Sequence, residues 1–194
     1  MRFYQEITLI PNPDVNRHFL WSKVYQQIHL GLVEVQNEQG KVPIGISFPE
    51  YVIGEKYNSL GGKCRLFAQD EAMLKQFDTD KWLDRLNDYV HWTRIRAVPD
   101  AINGYATYQR LQPKTSPERL ARRYASRHLV DYGDALQRYN GMASASVSAP
   151  FIRLKSLSSE QTFCLWIEKK TTSKPCVERF STYGLSAKAT VPEF

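Results

Sequence analysis

Apolar residues near the amino terminus follow two different periods. The segment FYQEITLI, residues 3 to 10, alternates apolar and polar positions and is rich in β-forming residues, which predicts a strand. From residue 15 to about residue 33 apolar residues recur every fourth position, which predicts a helix with one buried stripe. The stripe consists of Leu20, Val24, Ile28 and Leu32.

Four further elements are predicted before residue 100. Short apolar strands are expected at VPIGISFPE, residues 42 to 50, and at KCRLFA, residues 63 to 68. The apolar spacing between residues 73 and 89 predicts helix with a break around Thr79, and VHWTRIRAVP, residues 90 to 99, predicts a closing strand. This order is typical of the ferredoxin-like βαββαβ unit. Residues 1–100 are therefore expected to form a ferredoxin-like domain.

The residues after position 100 predict a linker and a helix. Residues 101–116 form a polar, tyrosine-rich linker that ends at Ser116, a residue type that favours the N-cap. Pro117 suits the first helical position, and helix is predicted from there to about His128.

The rest of the chain predicts short strands. A loop-rich connector is expected over residues 129 to 150. The segments FIRLKSL, residues 151 to 157, and TFCLWIEK, residues 162 to 169, alternate around the turn SSEQ and predict a hairpin. FSTYGLS, residues 180 to 186, predicts a strand and a turn. The expected fold class is α+β, with a less regular C-terminal region, residues 117–194.

Composition bounds the kind of protein. With 194 residues, 42% of them hydrophobic, the chain can build one or two cores. No run of ~18 apolar residues is present and the first residues lack a signal-peptide core, so a cytoplasmic protein without a membrane partner is expected. Cys64, Cys164 and Cys176 form no CxxC pair. No metal or other cofactor is predicted.

Charge is unevenly divided along the chain. Residues 1 to 104 hold 12 Lys and Arg against 13 Asp and Glu, whereas residues 105 to 194 hold 14 against 7. The overall net charge of +6 therefore comes from the second half. Because phosphate contacts dominate nucleic-acid affinity, this distribution predicts a scaffold half followed by a half that binds a polyanion. An ordinary basic surface is the alternative.

The predicted helix in SPERLARRYASRH concentrates arginine on one side. Arg119, Arg122, Arg123 and Arg127 follow i, i+3, i+4 and i+8 spacing, and His128 ends the segment. Guanidinium groups pair bidentately with phosphates and with guanine edges, so this face favours nucleic-acid contact over a merely solvated surface.

Two residues upstream of this helix add a weaker signal. Arg110 and Gln112 are two positions apart in an extended segment, so they point to the same side and suit neighbouring base edges. An A-form major groove ordinarily excludes a helix, so the partner is either DNA or a short RNA stem that is open at one end. Spacing alone does not decide between them.

Four segments in order resemble one known family. At HLGLVEV, GISFPE, SPERLARR and STYGLS the chain resembles the type I-F CRISPR RNA-processing endoribonuclease, from His29 to Ser186. The resemblance implies a ferredoxin-like N-terminal half and an arginine-rich helix that enters the major groove of a short RNA stem-loop. It also implies metal-independent cleavage at the 3′ base of that stem, with 2′,3′-cyclic phosphate and 5′-OH ends.

The resemblance assigns three catalytic residues. His29 matches the catalytic histidine, and its place in the last turn of a helix, close to a phosphate, would raise its pKa. Ser156 matches the serine that holds the nucleophilic 2′-OH, although Ser158 lies on the same strand face and is an alternative. Tyr183 matches the tyrosine that orients the histidine, or is simply a packed aromatic.

RNA-binding roles are implied in the same way. Phe163 matches an aromatic on which the terminal base pair stacks, or is core of the hairpin. Arg110 and Gln112 match the pair that reads base edges. The expected partners are the CRISPR repeat RNA stem-loop, the mature CRISPR RNA and the other subunits of a type I-F surveillance complex. The alternatives are a hairpin-binding subunit without catalysis and a basic DNA-binding protein.

Overall fold

A computed structural model describes residues 1–55, 57–112, 117–139, 147–156 and 159–194. The protein is a mixed α/β chain that divides into two compact units. The first unit contains residues 1–111 and 149–194, and the second contains residues 112–148. No helix within the described ranges is long and apolar enough to cross a membrane.

The helices are α1 Arg17–Glu34, α2 Glu71–Phe77, α3 Thr79–Leu83, α4 Pro117–His128 and α5 Tyr132–Gln137, with a 3-10 turn at Asp84–Leu86. The strands of the first hundred residues are β1 Phe3–Leu9, β2 Lys41–Val42, β3 Gly45–Ser47, β4 Val52–Ile53, β5 Asn58–Ser59, β6 Lys63–Ala68, β7 Val90–Trp92 and β8 Arg96–Ala97. The remaining strands are β9 Gly104–Leu111, β10 Phe151–Lys155, β11 Thr162–Thr172, β12 Phe180–Ser181 and β13 Val191–Glu193.

The first sheet is built around β1. Its strand order is β3-β6-β1-β7, with β8 also paired to β1, and every recorded pairing is antiparallel. The strand predicted over residues 42 to 50 is divided in two, because β2 pairs with β12 whereas β3 pairs with β6. The closing strand is divided in the same way into β7 and β8.

Helix α1 packs its predicted stripe into the core. All four stripe residues are at most 4% exposed, which confirms the period read from the sequence. Asn16 caps the helix, since its side chain accepts a hydrogen bond from the backbone N–H of His18 at 2.8 Å. The predicted break in the next helix is also confirmed: Asp78 adopts φ 53° and separates α2 from α3.

The second sheet has the order β10-β11-β9-β13 and is antiparallel throughout. The hairpin predicted from alternation is confirmed as β10 and β11. The segment expected to be a linker contains β9, which lies between β11 and β13. Its polar and tyrosine-rich composition concealed a strand that is buried at its centre, at Ala106, Thr107 and Tyr108.

The second unit contains α4 and α5. The predicted helix from Pro117 to His128 is confirmed as α4, whereas the expected N-cap Ser116 lies outside the described residues. Helix α5 lies where only a connector was expected. Ala121 of α4 is fully buried and Ala135 of α5 is 1% exposed, so small side chains let these two short helices pack closely.

Candidate active site

His29 lies on α1 against the turn that follows β12. Its imidazole ring stacks on the ring of Tyr183, with centroids 4.2 Å apart and planes inclined by 8°. Its Nδ1 lies 2.8 Å from the backbone carbonyl oxygen of Thr182. Two contacts therefore hold the ring, one on its face and one on its edge.

The contact with Thr182 determines which nitrogen of His29 is basic. A carbonyl oxygen can only accept a hydrogen bond, so Nδ1 must carry the proton. In the neutral ring Nε2 then carries the lone pair. The imidazole is thus set as the tautomer in which Nε2 can take up a proton.

The pKa of His29 departs from the sequence-based expectation. Burial lowers it below the ordinary value of 6.5, and the hydrogen bond to Thr182 offsets this only in part. The helix continues for five residues beyond His29, to Glu34, whereas the dipole effect is confined to the last turn. In the free protein desolvation is therefore the largest influence on the pKa of His29, and the ring is largely neutral at pH 7.

The turn that carries Tyr183 is closed by backbone hydrogen bonds and a glycine. Gly184 adopts φ 67°, and its N–H donates to the carbonyl of Ser181 at 2.7 Å. Its carbonyl accepts from the N–H of Ile46 in β3 at 2.9 Å. A Cβ at this position would lie 2.4 Å from Ile46 Cγ1, so both conformation and space require glycine.

Helix α1 holds this turn through two side chains four residues apart. The hydroxyl of Tyr25 donates to the carbonyl of Tyr183 at 2.8 Å, next to the bond between His29 and Thr182. Tyr25 is fully buried, and burial raises its pKa well above the ordinary value, so the hydroxyl stays protonated.

A second pair on α1 binds the exposed edge of β10. Ser22 donates from its hydroxyl to the carbonyl of Arg153, and Oε1 of Gln26 accepts from the N–H of Lys155 at 3.2 Å. Because β10 is the outermost of the strands that the structure describes in this sheet, these bonds occupy backbone groups that none of those strands pairs with on that side. One helix therefore positions both the Tyr183 turn and the end of β10.

Ser156 follows β10 directly. Its N–H donates to the carbonyl of Gln161 at 2.9 Å, which extends the hairpin pairing by one step. Its Oγ accepts from the N–H of Ser159 at 3.3 Å. The alternative Ser158 lies outside the described residues.

The strand register places three predicted site residues on one sheet face. Leu154 pairs with Phe163, and Ser156 is two positions beyond Leu154, so Ser156 and Phe163 share a face. Ile167 pairs with Arg110, and Ile167 is on the Phe163 side of β11. The face also carries the buried residues Leu154 and Ile167, which pack toward the core.

Arg110 and the aromatic rings form a contact cluster with His29. The guanidinium of Arg110 lies 5.5 Å from the Phe163 ring centroid and 5.7 Å from that of Tyr183. Phe163 meets Tyr183 edge-on at 6.4 Å. His29, Tyr183, Phe163 and Arg110 are thus brought together, with Ser156 on the adjoining hairpin.

The other predicted RNA-binding residues belong to the second unit. Gln112 is exposed at its beginning, and Arg119, Arg122, Arg123, Arg127 and His128 are exposed on α4. Within the described ranges Arg122, Arg123 and Arg127 have no carboxylate partner. Their charge is therefore available to a ligand.

Sequence reasoning missed the support of the site. Tyr25 and Gln26 were absent from the predicted residues because a tyrosine and a glutamine in an amphipathic helix carry no chemical signature of their own. The i, i+4 spacing of Tyr25 and His29 was the one available signal. No group of three or more potential metal ligands occurs among the residues that the structure describes.

Comparison with known proteins identifies relatives along the whole chain. The family model described as CRISPR-associated protein (Cas_Csy4) matches residues 4–194. Proteins named CRISPR-associated endonuclease Cas6/Csy4, from Escherichia coli (strain UTI89 / UPEC) and Pseudomonas aeruginosa (strain UCBPP-PA14), are each 32% identical to this chain, with 100% of both chains covered.

Two solved structures are more distant. A RAMP protein that binds different RNA substrates matches with a TM-score of 0.38 and 11% identity, over 99% of each chain. A Cas6-related protein from Pyrococcus furiosus matches with a TM-score of 0.34 and 11% identity, over 99% of this chain and 98% of the other.

Proposed function

Because the chain belongs to the Cas_Csy4 family of CRISPR-associated proteins, we propose that it is a metal-independent endoribonuclease of the type I-F group. It binds the stem-loop of CRISPR repeat RNA and cleaves the precursor at the 3′ base of the stem. It then stays bound to the mature CRISPR RNA, together with the other subunits of a surveillance complex in the cytoplasm. The observation that carries this proposal is the hydrogen bond from His29 Nδ1 to the carbonyl of Thr182, which leaves Nε2 as the nitrogen that can accept a proton.

His29 acts as the general base. Its Nε2 takes the proton of the 2′-OH while that oxygen attacks the adjacent phosphorus. The bond from phosphorus to the 5′-oxygen breaks, the leaving oxygen takes a proton from water, and the products are a 2′,3′-cyclic phosphate and a 5′-OH. The lowered pKa of His29 supports this role, because a neutral ring is ready to accept a proton at pH 7.

Tyr183 and Ser156 position the reacting groups. The stacked ring of Tyr183 keeps Nε2 in one direction, which reduces the entropy lost on reaching the transition state. Ser156 holds the 2′-OH, since a hydroxyl can both donate and accept a hydrogen bond. The position of Ser156 on the same sheet face as Phe163 supports this assignment.

RNA binding uses both units. Phe163 stacks on the terminal base pair of the stem, and Arg110 with Gln112 reads base edges near its bottom. The arginines of α4 and His128 bind the stem through its phosphates and major groove. The guanidinium groups of Arg122, Arg123 and Arg127 support this role, because they are exposed and form no ion pair with a carboxylate in the part of the chain that the structure describes.

We also assign residues 1–100 to a ferredoxin-like domain. The support is the strand order β3-β6-β1-β7, which matches that of a βαββαβ unit with its first and third principal strands at the centre. Residues 101–116, which include β9, then lead into the C-terminal RNA-binding region, residues 117–194, with the arginine-rich helix 117–128.

A cleavage assay in EDTA tests the function. The substrates are the repeat RNA of the host's own CRISPR array and the same RNA with one 2′-deoxy nucleotide just upstream of the expected cut. We expect the all-ribose RNA to be cut in chelator and the deoxy RNA to be bound but intact. Binding of both without cleavage would instead identify a hairpin-binding subunit. Equal competition by duplex DNA of the repeat sequence would contradict an RNA-specific partner.

A further inference from the structure

The second unit contains a groove between α4 and the residues that follow α5. Its volume is about 240 Å³. The lining residues are Leu120, Arg123, Tyr124, Arg127, His128 and Tyr139. We call it the Tyr124 groove. The proposed function assigns no role to Tyr124, to Tyr139 or to the neighbouring Arg138.

Three of the six residues that line the Tyr124 groove carry aromatic rings. The rings of Tyr124 and His128 lie 4.3 Å apart, inclined by 31°, one helical turn from each other. Tyr139 meets Tyr124 edge-on at 6.2 Å. Tyr124, Tyr139 and His128 thus form an aromatic cluster at the surface, a setting suited to a further flat ring.

Cationic side chains surround these rings. The Arg138 guanidinium lies 4.9 Å from the Tyr124 ring centroid and donates to its hydroxyl at 3.3 Å. Arg123 and Arg127 line the groove and are exposed. Among the described residues none of these three arginines forms an ion pair with a carboxylate. The groove therefore combines an aromatic surface with uncompensated positive charge.

Helical geometry places the Tyr124 groove beside the arginine face. Tyr124 and His128 are four residues apart and share one side of α4, whereas Arg119 and Arg122 project from another. Arg123 and Arg127 lie between the two sides at roughly 100° per residue. RNA bound along the arginine face would bring its adjoining nucleotides to the groove.

We propose that the Tyr124 groove binds one unpaired nucleotide of the RNA hairpin, an inference that rests on the proposed function. The base stacks on the aromatic cluster, and its phosphate is bound by Arg138 together with Arg123 and Arg127, which also contact the adjoining phosphates of the stem. An unpaired base is required, because a base within the stem keeps both faces covered by its neighbours. A stacked base on a protein aromatic is typically worth ~1–3 kcal/mol, which corresponds to about 5- to 150-fold in affinity.

A double-mutant cycle between protein and RNA tests this binding site. Each unpaired position of the hairpin is replaced in turn by an abasic nucleotide, and affinity is measured for the full-length wild-type protein and for Tyr124→Leu and Tyr139→Leu. One position is expected to lose about 5- to 150-fold in wild-type affinity and to show most of that loss abolished in both variants. Tyr132→Leu is the matched control, because Tyr132 is exposed on α5 but does not line the groove.

The outcomes separate this proposal from the function on which it rests. Wild-type protein that binds and cleaves the hairpin, with no unpaired position coupled to either tyrosine, would overturn the nucleotide site alone. Loss of affinity in Arg138→Gln without any abasic coupling would identify a phosphate contact only and would also overturn it. Failure of the wild-type protein to bind the hairpin would overturn both proposals.

Discussion

Tyr25 and His29 lie four residues apart on α1 and bind the carbonyl groups of two successive residues in one turn. The Tyr25 hydroxyl donates to the carbonyl of Tyr183, and His29 Nδ1 donates to that of Thr182, both at 2.8 Å. The turn in return stacks Tyr183 on the His29 ring. The proposed base is therefore oriented before any RNA arrives, and Tyr25 contributes without being exposed to substrate.

Replacing Tyr25 by phenylalanine should misplace the Tyr183 turn while the core stays filled. We expect a loss of about 1 kcal/mol in the free energy of unfolding, since one buried hydrogen bond is removed. Single-turnover cleavage should fall by roughly tenfold at unchanged RNA affinity, because even a small displacement of the general base His29 lowers the rate of the chemical step. Tyr57→Phe is the control, since Tyr57 is 69% exposed. Equal rates in both variants would exclude a positioning role.

Replacing His29 by alanine should abolish cleavage and leave RNA affinity nearly unchanged. General-base catalysis typically contributes ~10²- to 10⁴-fold, so single-turnover rates should fall by that amount. His91→Ala serves as the control, because His91 is exposed on β7. If His29→Ala cleaved as fast as the control, the catalytic assignment would be wrong.

The pKa of His29 can be measured by NMR titration of its ring carbon-bound protons. In the free protein the midpoint should lie below 6.5, because burial disfavours the charged ring. Tyr183→Leu should uncover the ring and move the midpoint upward. In the folded wild-type protein His29 binds its proton at lower pH than it does in the unfolded chain. The contribution of His29 to the free energy of unfolding therefore falls as pH drops below about 6.5. A free-protein midpoint above 6.5 would contradict this account of the site.

Replacing Gly184 by alanine should destabilise the turn that holds Tyr183. The φ of 67° costs a non-glycine residue about 1–3 kcal/mol, and Ile46 would have to move as well. Urea unfolding should show the loss, and cleavage should fall with it. Gly62→Ala is the control, because the nearest atom to a Cβ there is 3.6 Å away. Equal stability of the two variants would be inconsistent with the turn geometry.

The salt dependence of RNA binding tests the arginine helix. Arg122→Gln should weaken binding and reduce the slope of log affinity against log salt by about 1, the effect of losing one phosphate contact. The matched variant is Arg96→Gln, which removes an exposed arginine from β8. A slope unchanged in Arg122→Gln, or changed equally in both, would argue against phosphate contact by this residue.

The local sequence pattern was sufficient to predict those elements whose conformation depends mainly on residues close by in the sequence. The four-residue period of α1, the helix from Pro117 to His128 and the alternating hairpin of β10 and β11 all appear in the structure as predicted. Each of these elements has a strong periodicity or a proline at its start, and these local signals predict the element whatever it packs against. The family could be recognised for a similar reason, because its motifs are short runs of adjacent residues.

Tertiary structure decided the features that depend on distant partners. Strand β9 forms because β11 and β13 pair with it on either side. The strand predicted over residues 42 to 50 is divided because β12 and β6 pair with different parts of this region. Tyr25 became part of the site only through a carbonyl 158 positions away. The chain by itself determined which residues could do chemistry and where its periodic elements lie. Contacts across long sequence separations determined how those residues are oriented, because no local pattern encodes the partner of a backbone group.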